Sequence, residues 1–131
     1  VIFMTPSPNS YFADNETNYI NYDYISLNQE LFDFYQGLIE LRKNYSQLGS
    51  AKKEDIKILE SANKKSLGVN IENKIFGFVN ADPKAKVTYD LPAGEYDIVV
   101  NNKAAGTKSL GVISGGKITI NKSDVLILIK K

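Results

Sequence analysis

Two carboxylates, Asp14 and Glu16, lie two positions apart in a stretch from Asn9 to Tyr24 that is otherwise rich in asparagine and tyrosine. Paired carboxyl groups are the working groups of glycosidic bond hydrolysis, which by the retaining route needs them about 5–5.5 Å apart on a rigid frame. This stretch is polar and without period, so it reads as a structured loop, and the pair is expected to be solvated rather than catalytic. Asn9, Tyr11 and Asn18 are better candidates for ligand contact. Aromatic faces stack on pyranose C–H surfaces, and amides hydrogen-bond sugar hydroxyls. The competing role for the loop is to pack Tyr11, Tyr19 and Tyr22 against whatever it covers. Histidine and cysteine are absent. The usual neutral-pH acid/base, the commonest zinc ligand, disulfides and thiolate chemistry are therefore all missing. Asp82, Asp90 and Asp97 stand at separate strand ends and read as turn formers rather than a metal cluster. No calcium-loop spacing occurs, and neither a metal nor a cofactor is expected.

The elements that would hold such residues are those of one ordinary domain, or of a small domain with an appendage. The chain has 131 residues, and its 43% hydrophobic content is enough for a core. With a net charge of +1 and scattered lysines, nothing suggests a nucleic-acid surface. No apolar run approaches the roughly 20 residues that span a bilayer, so membrane insertion is not expected.

Val1-Ile2-Phe3-Met4 reads as a short buried strand, stopped by Thr5-Pro6-Ser7-Pro8 because proline cannot donate to a ladder. After the loop, Leu31, Phe34, Tyr35, Leu38, Leu41 and Tyr45 recur at three- and four-residue steps, which predicts an amphipathic helix. Ser26 and Gln29 have capping-box spacing, with Asn28 as a competing N-cap. Gly37 in the interior costs about 1 kcal/mol against alanine and so predicts a close packing partner. From Ile56 the signals are all β. Strands are expected at 56–59, 66–71, 74–80, 86–91, 95–100, 117–120 and 125–129. Glu72-Asn73 is expected to form a tight hairpin turn, Pro92-Ala93-Gly94 a second turn, and Val125–Ile129 a strand buried on both faces. The fold class is mainly β: an antiparallel sandwich preceded by a loop and one helix.

The order of these elements resembles the end of the catalytic barrel and the C-terminal β domain of type I pullulanases and related debranching enzymes, within the alpha-amylase superfamily of glycoside hydrolases. In the loop the resemblance rests on Asn9, Ser10, Tyr11, Glu16, Asn18, Ile20 and Asn21. In the helix it rests on Tyr35, Gly37, Leu38, Ile39, Leu41 and Arg42. In the β region it rests on Asn80-Ala81-Asp82-Pro83, the run from Tyr89 to Asn101, Ala105-Gly106-Thr107 and the run from Ser114 to Ile120. The chain departs from the family pattern at Phe12, Asp14 and Asn15, at Tyr22 where the family has tryptophan, and in the prolines that follow Met4.

The resemblance implies that residues 1–49 are a remnant of a (β/α)8 barrel and residues 50–131 a β sandwich that stabilises it. It implies a parent enzyme acting on alpha-glucans at alpha-1,6 branches, with Asn9, Tyr11 and Asn18 as substrate contacts. The family's catalytic carboxylates lie on earlier barrel strands, so no catalytic residue is expected here, and the piece alone is expected to be inactive. By analogy the setting is extracellular or on a bacterial cell surface. The alternatives are a stand-alone carbohydrate-binding module, using Tyr89 or Tyr96 as a platform, and a purely structural sandwich. The apolar helix face, which would cover the barrel wall in a parent, is expected here to dock on the sandwich or to join two copies.

Overall fold

The computed structural model describes residues 21–131. The strand expected at Val1–Met4 and most of the following loop lie outside the described residues.

Two helices follow one another, α1 (Tyr24–Leu27) and α2 (Gln29–Asn44), with a break at Asn28. The expected capping box does not form, because the chain is already helical ahead of it. Ser26 Oγ donates back to the Asp23 carbonyl at 2.7 Å, and Gln29 Nε2 donates to Asp33 Oδ1 at 2.7 Å. Asn28 occupies the N-cap position, yet its amide donates to the Tyr24 carbonyl at 3.0 Å. Arg42 and Lys43 sit in the last turn, where the helix dipole favours cations. A short helix α3 (Gln47–Ser50) and a 3₁₀ turn (Lys53–Asp55) lead into the sheet.

Six strands, β1 (Ile56–Leu59), β2 (Ser66–Ile71), β3 (Ile75–Asn80), β4 (Val87–Val100), β5 (Gly111–Ile120) and β6 (Asp124–Lys130), form one antiparallel sheet in the order β1-β2-β3-β6-β4-β5. The β2–β3 hairpin turns at Glu72-Asn73 as expected. Both residues have positive φ (52° and 54°), the conformation that matches strand twist. The buried Asn70 side chain secures it, accepting from the Asn73 amide at 2.9 Å and donating to its Oδ1 at 2.8 Å.

Pro92-Ala93-Gly94 does not reverse the chain. It is a bulge inside the single strand β4, whose partners slip from Leu91 facing Gly116 to Glu95 facing Ser114. Opposite it, a Cβ on Gly115 would lie 2.1 Å from the Pro92 carbonyl oxygen, so only glycine fits. The bulge bends the β4–β5 ribbon across the sheet. Tyr89 then lies against Gly68 and donates to Ser66 Oγ at 2.9 Å. The sheet thus becomes two layers, and the sandwich is made by bending rather than by separate strands. Phe76, Phe78, Tyr89, Leu91, Tyr96, Ile118, Ile120 and Leu128 fill the space between.

A second slip, between Ile98 and Val100, places the successive residues Val99 and Val100 in one apolar cluster. This cluster is a second core on the outer face of the sheet. It joins them to Ile75 and Ile129, with Leu41, Phe34, Leu38 and Tyr45 of α2 packed above. Strand β6 serves both cores, Leu128 on one side and Ile129 on the other, as its wholly apolar run predicts. The helix docks along 34, 38, 41 and 45. Leu31 and Tyr35, expected on the same face, are instead exposed (38% and 52%), beside Ile39 (55%).

Candidate functional site

Asn9, Tyr11 and Asn18, with Asp14 and Glu16, lie outside the described residues. Tyr19 also lies outside them, and Tyr22 is 67% exposed. Tyr89 and Tyr96 are buried, only 4% and 0% exposed, so neither is a sugar platform. Tyr96 donates to the Pro92 carbonyl at 2.8 Å, meets Phe76 edge-on, and has its phenol pKa pushed up by burial. Asp82, Asp90 and Asp97 are not brought together. Asp82 accepts from Asn63 Nδ2 at 2.9 Å and from the Lys84 and Ala85 amides, which hold its carboxyl below the usual range, the Asn63 bond foremost. Asp90 faces Lys117 across the ribbon. Asp97 accepts from Ser109 at 2.8 Å, with Lys131 Nζ 3.7 Å away. The Asn80-Ala81-Asp82-Pro83 motif is a turn built on Asn80. Its buried amide donates to the Ala85 and Asn121 carbonyls at 2.8 and 2.9 Å and accepts from the Asp82 amide at 3.0 Å.

The described residues build a groove with mixed chemistry between the first turns of α2 and the loop after β4. The loop is fixed from within: Asn101 Oδ1 accepts from the Lys103 and Ala104 amides at 2.9 Å, and the Gly106 amide donates to the Val99 carbonyl at 3.1 Å. It is fixed from outside by Gly37, where a Cβ would fall 1.8 Å from the Ala105 carbonyl oxygen. The close partner expected of Gly37 is therefore this loop. Glu30, Leu31, Asp33 and Phe34 form one wall and Asn102–Ala105 the other, around a half-open volume of about 810 Å³. Reading the sequence missed this groove, because its walls are some seventy positions apart. The interior glycine was the one local signal that something pressed on the helix there. Among the described residues, no group of three or more His, Cys, Asp or Glu is placed to hold a metal.

No protein-family model matches the chain. The fold resembles part of a pullulanase. The chain aligns over 87% of its length with the structure of pullulanase from Bacillus acidopullulyticus, at a TM-score of 0.74 and 22% identity. It spans about 15% of that protein's length. At this identity the likeness is one of fold.

Proposed function

We propose that the chain is the C-terminal region of a pullulanase-like glycoside hydrolase acting on alpha-glucans. Residues 1–49 would belong to its barrel, and residues 50–131 would form the β domain that stabilises it. The fold likeness supports this reading, and the two apolar sides of α2 carry it. One side docks on the sheet, while Leu31, Tyr35 and Ile39 line an exposed edge that asks for a second neighbour. A barrel wall is such a neighbour. In this reading Asn9, Tyr11 and Asn18 would contact substrate, and the chemistry would belong to carboxylates outside the chain.

The test is a longer polypeptide that includes the residues encoded before Val1. It should release reducing sugar from pullulan, the 131-residue chain alone should not, and Tyr35→Asp should lower the thermal stability of the longer form. Hydrolysis by the 131-residue chain itself, or an upstream sequence without barrel strands and their acidic residues, overturns the proposal. If the edge instead joins two copies of this chain, sedimentation will show a dimer that Tyr35→Asp dissociates.

A further inference from the structure

We propose that the groove between α2 and the Asn102–Ala105 loop is a binding subsite for an α-linked glucan oligosaccharide, an inference that rests on the glucan-acting reading above. Its volume of about 810 Å³ lies within the range of small-molecule sites, roughly 300–1,000 Å³. Its lining selects the kind of ligand. Glu30 and Asp33 stand on one wall and Lys103 on the other, so carboxylates and an ammonium face the same space. An anion would meet two negative groups, and a purely apolar ligand would draw nothing from the three charged groups, which are exposed. A neutral polyhydroxylated ligand suits both walls: its hydroxyls donate to Glu30 and Asp33 and accept from Lys103, while Asn102 does either. Phe34 offers apolar surface for the C–H face of a pyranose ring.

Two further features fit a ligand site. The polar groups are uncommitted: among the described residues Glu30, Asn102 and Lys103 make no side-chain hydrogen bond, and Asp33 uses only Oδ1, toward Gln29. The walls are also set in place beforehand, one by a helix and the other by the Asn101 turn and the Gly37 contact. Little ordering is then left for the ligand to impose.

The experiment is an amide NMR titration of the 131-residue chain with maltotriose, with cellotriose as the β-linked control. Maltotriose should shift resonances of Glu30–Phe34 and Asn102–Ala105, and more strongly than cellotriose does. Asn102→Ala and Lys103→Ala, both at exposed positions, should each weaken binding about tenfold, the loss of one hydrogen-bonding side chain, with unchanged circular dichroism. Absent shifts, shifts centred elsewhere, equal response to both sugars, or undiminished affinity in the variants overturn the subsite. The parent-enzyme reading falls on a different observation, pullulan hydrolysis by the longer polypeptide, so each can fail alone.

Discussion

Asn80 donates to two carbonyls from different segments and accepts from the Asp82 backbone amide, at 1% exposure. Replacing it with alanine leaves these groups buried without partners. A loss of about 2–3 kcal/mol is expected, read as a lower urea midpoint at unchanged slope. Two residues on, Asp82 gives the same turn a pH dependence. Its folded-state pKa is depressed, so the native turn binds fewer protons than the unfolded chain. The contribution is present above the ordinary value of 3.8 and is lost as pH falls below it. Asp82→Asn should flatten stability against pH in that acid window and leave the neutral plateau's shape unchanged. The Asn80-Ala81-Asp82-Pro83 motif thus does structural duty, and its residue types are explained without any ligand.

At the level of elements, Gly37 decides how α2 sits. Alanine there would add about 1 kcal/mol of helix propensity, but its Cβ would meet a backbone carbonyl that no side-chain rotation can move away. Gly37→Ala is expected to destabilise by about 1–2 kcal/mol net, opposite in sign to what propensity alone gives, and thermal melting will show which effect prevails. The strands were legible from their alternation, and the Glu72-Asn73 turn from its residue types. The Pro92-Ala93-Gly94 bend was not, because the same three residues serve a reversal equally well. What separates the outcomes is Gly115 on the opposite strand, a long-range fact. The helix was legible as amphipathic, but its burial line shifted from Leu31 and Tyr35 to the Leu38–Leu41 side, since the periodicity of a helix with apolar residues on two sides does not say which side the sheet takes. The groove shares this limit. Its walls meet only once the loop after β4 has folded onto Gly37.

At the scale of the whole molecule, the described residues form two cores on opposite faces of one sheet, and β3, β4 and β6 contribute to both. Heat should therefore melt α2 and the strands in one transition, by circular dichroism and by tyrosine fluorescence alike. Residues 50–131 alone would expose Ile75, Val99, Val100 and Ile129, now covered by α2, and should aggregate at lower concentration than the 131-residue chain, read by light scattering. The bend in β4 has a consequence of its own. Ala93 and Gly94 sit where the ladder with β5 is interrupted, between two well-paired arms. Deuterium uptake along this continuous strand should then be fast in its middle and slow toward both ends, the reverse of ordinary fraying from the tips.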